Sequence, residues 1–67
     1  MKLYEPIETV YGRGYPWATM YDPINQQDGW MVTIRRDDMT PKGLERYGRG
    51  KFAHVCITDK DIIKEAA

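Results

Sequence analysis

Cys56 is the only cysteine in a chain of 67 residues, so no internal disulfide can brace the fold. His54 is the only histidine, and one His with one Cys cannot complete a four-ligand zinc site. A chain this short buries only about 60% of the surface its unfolded form exposes. Ordering it costs on the order of 100 kcal/mol, at roughly 1.5 kcal/mol per residue. Apolar burial must nearly match that figure, so net stability is expected to be small, and self-association or a stabilising partner is open. With no disulfide and no metal or other cofactor implied, the lone thiol fits a reducing compartment. The start Met1-Lys2-Leu3-Tyr4-Glu5-Pro6 lacks the apolar centre of a signal peptide, and no apolar run approaches a membrane span. The expectation is a cytoplasmic protein with no membrane contact.

Charge and composition narrow the class further. Ten Lys and Arg balance ten Asp and Glu, and 42% of residues are apolar. That composition is globular, since disorder goes with low hydrophobicity and high net charge. One small domain, 1–67, is expected, and a highly basic nucleic-acid coat is excluded. No charged tail and no linker stand out; Arg35-Arg36 is followed directly by Asp37-Asp38.

Strand signals dominate the pattern. Ile7-Glu8-Thr9-Val10-Tyr11 mixes β-branched, aromatic and polar residues and suits a short strand. Gly12-Arg13-Gly14 is expected to interrupt it, and Pro16 implies an edge position or a strand start. Trp17–Tyr21 reads as a second strand. Asp22–Gly29 is a polar loop whose Asp-Gly pair re-enters a third strand, Trp30–Arg35. There Trp30, Val32 and Ile34 alternate with Met31, Thr33 and Arg35, giving one strongly apolar face. Thr40, Pro41 and Gly48 have the positions of a cap, a first helical residue and a stop, so one or two helical turns are expected between them. Lys51–Ile57 is apolar on both faces and reads as a central strand. Thr58-Asp59-Lys60-Asp61 carries a capping hydroxyl and first-turn carboxylates. After it the chain fits either a short helix or a single turn followed by a last strand.

This order resembles the SH3-like small barrels, an architectural class that includes KOW and Tudor modules. The resemblance rests on Gly12-Arg13-Gly14, on Asp28-Gly29-Trp30, and on the ending Val55-Cys56-Ile57-Thr58-Asp59-Lys60-Asp61-Ile62. It spans residues 7–63 as a pattern, and it transfers no functional residue. The fold expected is mostly β: a small antiparallel SH3-like barrel or curled sheet with a short helical insertion and a C-terminal helical turn. The rival is an α+β open sheet with a C-terminal helix packed on one face.

Tyr-Gly-Arg-Gly occurs twice, at Tyr11–Gly14 and Tyr47–Gly50. A ring, a cation and flexible glycines can stack on bases while touching phosphate, and Arg35, Arg36, Arg46 and Lys51 would enlarge such a patch. The plainer reading is two turns that use glycine at positive φ. Zero net charge weighs against nucleic acid unless the charges segregate onto separate faces. Trp30 belongs to the core by its strand face, whereas Tyr15, Trp17 and Tyr21 would make an aromatic contact surface if exposed. Met20 and Met31 read as core gap-fillers. His54 and Cys56 face one side and read as a buried or half-buried pair, not as a nucleophile and base. Asp37 and Asp38 point to opposite sides of a strand and make a poor carboxylate dyad.

The leading expectation is a non-catalytic protein-interaction module: an adaptor, an accessory subunit or a small inhibitor of phage or plasmid type. It would act by steric occlusion or edge pairing, through Tyr11, Arg13, Tyr15, Trp17, Arg35, Arg36, Tyr47, Arg49 and Lys51. The alternative is an RNA- or DNA-binding small barrel that uses the two Tyr-Gly-Arg-Gly turns. No catalytic residue and no metal ligand is expected, and homo-oligomerisation is open.

Overall fold

The computed structural model describes residues 2–64. Five strands form one antiparallel sheet: β1 (Ile7–Thr9), β2 (Gly12–Asp22), β3 (Gln27–Met39), β4 (Phe52–Thr58) and β5 (Ile62–Lys64). Helix α1 (Pro41–Tyr47) joins β3 to β4, and a 3-10 turn, Asp59–Asp61, joins β4 to β5. The spatial order is β4-β3-β2-β1-β5.

That order forces curvature. In a flat five-stranded sheet the outer strands would lie about 19 Å apart, at roughly 4.8 Å per step. Only the Asp59–Asp61 turn links β4 to β5, and four Cα–Cα steps reach at most about 15 Å. The sheet therefore curls until its two edges approach. It does not close, since β4 pairs with β3 and β5 with β1, with no β4–β5 ladder among the described residues. The curled sheet is the part of the expected fold that is present; a closed SH3-like barrel is not. The rival C-terminal helix is replaced over residues 62–64 by β5, and residues 65–67 lie outside the described chain.

The concave face holds the core. Val32, Ile34, Val55 and Ile57 are at most 1% exposed and pack with Ile7, Tyr11 and Met39. Trp30, Ala53 and Ile62 lean on this cluster. Each fully buried aliphatic side chain contributes about 1.5–3 kcal/mol.

Two local expectations are corrected, those for Gly12-Arg13-Gly14 and for β4, and the edge position expected of Pro16 is met. Gly12-Arg13-Gly14 does not interrupt a strand; it lies inside β2, and the turn falls at Val10-Tyr11 instead. Gly12 has φ of 136°, and a Cβ there would come within 2.4 Å of the Asp38 carbonyl oxygen, so glycine serves both backbone conformation and close approach. Pro16 lies within β2 beyond the last β1 pairing, Ile7 with Gly14, so that side of β2 is locally an edge. Finally, β4 is an edge strand and not a central one.

Helix α1 starts where its punctuation places it. The Thr40 hydroxyl accepts from the Gly43 N–H at 3.2 Å and donates to the Val10 carbonyl at 2.7 Å. A Cβ on Gly43 would sit 2.0 Å from the Tyr11 carbonyl oxygen. Gly43→Ala should therefore cost about 2–3 kcal/mol or more in urea unfolding, because backbone must move to admit the methyl. Gly50→Ala is the control. The nearest atom to its Cβ is 3.7 Å away, and its midpoint should stay close to wild type. Equal midpoints for the two variants would refute the packing described for Tyr11.

Candidate binding face on the outer surface of the sheet

Side chains alternate across the sheet, so the residues between the core positions point outward. Along β2, Gly12, Gly14 and Pro16 are buried while Arg13, Tyr15 and Trp17 are exposed. The register then runs Tyr15 to Thr33 to His54 across β2, β3 and β4. Two residues further along β3, Arg35 pairs with Phe52 on the same side.

Aromatic rings cover much of this outer face. The ring centroids of Trp17 and His54 are 5.7 Å apart, and those of Phe52 and His54 are 5.4 Å apart, both edge-to-face. His54 Nδ1 shares a 2.8 Å hydrogen bond with the Thr33 hydroxyl, which orients the imidazole between the two larger rings. A register irregularity between Pro16 and Ala18 places Trp17 as an extra residue in β2. Tyr4 joins the group from the N-terminal segment. Its φ is 68°, unusual for a residue with a side chain, and its N–H donates to the Pro16 carbonyl at 2.6 Å. Tyr4, Tyr15, Trp17, Thr33 and His54 line a shallow depression of about 410 Å³. Exposure is high for such large rings: Tyr4 72%, Phe52 55%, Tyr15 43% and Trp17 40%.

Beside the rings lies a softer patch. Met20 and Cys56 are exposed, and their sulfur atoms are 3.2 Å apart. Met31 is half-buried and pairs with Cys56 on the outer side. Met20 and Met31 are thus not core gap-fillers, and His54 and Cys56 are exposed, because nothing among the described residues covers the outer side of β4. Trp30 leans on the core, as its strand face implies.

The two Tyr-Gly-Arg-Gly segments do meet, but through their tyrosines, of which Tyr11 is buried and Tyr47 half-buried. Tyr11 is 6% exposed, and its ring packs edge-to-face on Tyr47 with centroids 5.2 Å apart. Arg46 donates to the Tyr11 hydroxyl at 3.1 Å, and the Lys42 and Arg46 side chains lie over the Tyr11 ring. Tyr11 thus presents no free stacking face, and Tyr47 is half-buried against it. Gly48 ends α1 with φ of −79°, so its role differs from that of Gly12. Arg13 is exposed and bound at 2.8 Å to Glu8, which holds its guanidinium above the ordinary arginine range. Arg35, Arg36, Arg49 and Lys51 are exposed, and the Arg36 N–H donates to the Lys51 carbonyl at 2.8 Å. Of the sequence-predicted site residues, Tyr15, Trp17, Arg13 and Arg35 share the outer face. Tyr4, Phe52 and His54 share it too and were missed. The signal for Phe52 and His54 was the apolar character of both sides of β4, which reads equally as central burial.

Comparison of the chain with protein-family models, with curated proteins and with solved structures gives no match. Among the described residues no helix is long and apolar enough to cross a membrane.

Burial raises the Tyr47 phenol above its ordinary value, despite the opposing field of Arg46. Between the unfolded and folded values the native state keeps a proton that the unfolded chain has lost, so stability falls as pH rises from about 10. Tyr47→Phe should flatten that decline. In urea titrations from about pH 9 to pH 11, the unfolding free energy of wild type should fall relative to that of Tyr47→Phe as pH rises. Parallel curves would refute the partial desolvation of the Tyr47 phenol.

Proposed function

We propose that the protein is a non-catalytic binding module, an adaptor, accessory factor or small inhibitor, whose contact surface is the outer face of the sheet. The observation that carries this reading is the exposure of Trp17, Phe52, Tyr15 and Tyr4 together on one side of adjacent strands. Apolar rings left in water forgo burial that a small chain needs, so a contiguous group of them points to a partner. Tyr, Trp and Arg anchor protein interfaces, and every nucleic-acid base offers a π face to the same rings. Covering this face is enough for an adaptor to bridge or for an inhibitor to occlude. The curled sheet beneath it is the feature shared with the SH3-like barrels and supports a rigid platform.

A contact surface and a structural surface respond differently to truncation. The triple variant Tyr15→Ser, Trp17→Ser, Phe52→Ser should remain folded, with each substitution costing within about 1 kcal/mol, because no exposed ring closes the core. Affinity capture from a cell extract should retain a partner on wild type and lose it on the triple variant. Equal capture by both, with the fold intact by circular dichroism, would overturn the proposal.

A further inference from the structure

The free edge of β4 has none of the features that keep sheet edges from pairing. Such edges are usually short, bulged, covered, or marked by Pro or a charge. β4 runs seven residues, Phe52–Thr58, with no Pro, Gly, Asp, Glu, Lys or Arg. Its register with β3 is unbroken from Thr58 back to Phe52. The opposite edge differs: β5 has three residues and ends in Lys64.

The ladder to β3 fixes which backbone groups of β4 are open. Arg36 and Lys51 continue that ladder, and the Arg36 N–H donates to the Lys51 carbonyl at 2.8 Å. In an antiparallel pair, alternate residues turn both of their backbone groups toward the neighbouring strand, and the residues between turn both away. Ala53, Val55 and Ile57 thus face β3, and Phe52, His54, Cys56 and Thr58 face outward along the edge. The Thr58 N–H is met by the Asp61 carboxylate at 3.1 Å. The N–H and C=O groups of Phe52, His54 and Cys56 have no backbone partner among the described residues.

We propose that β4 pairs with β4 of a second copy, antiparallel about a two-fold axis at His54, joining two five-stranded sheets into one. This register sets His54 opposite His54, Phe52 opposite Cys56 and Ala53 opposite Val55 of the second copy. All three open residues of each chain then exchange both of their hydrogen bonds. In the adjacent registers Phe52 falls opposite the capped Thr58, or Cys56 falls beyond the start of β4. The faces stay in step: core side chains continue core side chains, and Phe52 of each chain lies beside Cys56 of the other. β4 then has a strand on either side, the setting that its apolar pattern on both faces fits. A second copy suits this edge on three counts. A strand without Lys, Arg, Asp or Glu meets its own image with no such like charges opposed. Zero formal charge sets up no net repulsion between copies. A small core, with Cys56 free and no metal-holding cluster among the described residues, gains from a second subunit. The shared edge is short, so the dimer is a reversible one. The inference concerns the edge and does not require the outer face to be a contact surface.

The test is sedimentation of the full chain from about 1 µM to 1 mM. The mean mass should rise with concentration from that of one chain to that of two. His54→Lys places two cations together on the axis and should weaken the dimer about tenfold or more. Ile63→Lys, on the opposite edge, should leave it unchanged. Circular dichroism should show both variants folded, since His54 and Ile63 are exposed. Cross-linking reads the register. Under diamide, Phe52→Cys should form covalent dimers through Cys56 of the second copy, because the opposed Cα atoms lie about 5.5 Å apart, within reach of a disulfide. Wild type should not, since the two Cys56 residues stand four positions apart on facing strands, about 14 Å. Phe52→Cys combined with Cys56→Ser should also lose the cross-link. A chain that stays monomeric throughout would overturn the proposal and leave the edge to a strand from another protein. Growth beyond two chains, a dimer indifferent to His54→Lys, or a cross-link that does not depend on Cys56 would overturn it as well.

Discussion

The fold turns on one two-residue turn, Val10-Tyr11, and on what satisfies it. Its four backbone polar groups all have partners. The Val10 N–H donates to the Asp61 carbonyl at 2.9 Å, and the Tyr11 N–H donates to the Thr9 hydroxyl at 3.1 Å. The Val10 carbonyl accepts from the Thr40 hydroxyl, and the Tyr11 carbonyl accepts from the Thr40 N–H at 3.1 Å. One turn thus ties together the first hairpin, the start of α1 and the turn that leads into β5. A buried turn with any of these groups unmet would lose about 1–3 kcal/mol per group, a large share of the stability available to a chain of this size. Thr9 is itself 1% exposed, and its hydroxyl meets both the Tyr11 N–H and the Gly12 carbonyl.

Tying both ends of the sheet to one point has a cost in surface. The curl encloses one face around Val32, Ile34, Val55 and Ile57 and leaves the other convex and bare. Among the described residues the one α-helix has seven residues and is already committed to the Val10-Tyr11 turn, so none of them lays a second layer over that convex side. Rings placed there contribute little to stability. Their grouping is better explained by what they touch than by what they hold together, and the same argument accounts for a β4 that is apolar on both sides while lying at the edge.

Signals of short range were legible from the residues. Thr40, Pro41 and Gly48 bound α1 because capping is a contest among neighbours in sequence. Trp30, Val32 and Ile34 declared the core face of β3 by alternation alone. The errors arose where a residue type serves two physical ends. Glycines at 12 and 14 read as a turn, yet the turn belongs to Val10-Tyr11, where Thr9 supplies the acceptor from a position that looks like ordinary strand. Tyr11 and Tyr47 looked like surface rings because each stands before Gly-Arg-Gly. Their burial depends on a contact across 36 positions of sequence that no local pattern encodes. Arg13, Tyr15, Trp17 and Arg35 were picked out by residue type. What gathers them is the register of β2 on β3, which comes from the core pairing on the opposite face.

The fate of the repeat changes how net charge should be read. With Tyr11 buried and Tyr47 half-buried against it, a nucleic-acid surface has little to rest on in the two tetrapeptides, and a neutral chain then looks like a poor candidate. Net charge, however, is a sum over all surfaces, while a bound strand meets only one. Strand alternation sorts charges by parity: Glu8, Arg13 and Arg35 fall on the outer side because Ile7, Thr9 and Ile34 must fall on the inner. Asp38, next to the pairing of Met39 with Gly12, stays close enough to act on Arg13, while the acids after β4 go to a turn. The pairing that builds the core therefore sorts the charges only in part, leaving Glu8 and Asp38 beside Arg13. The face that carries the rings thus bears both signs, Arg13 and Arg35 with Glu8 and Asp38, and its charge says little more about a partner than the zero of the whole chain does.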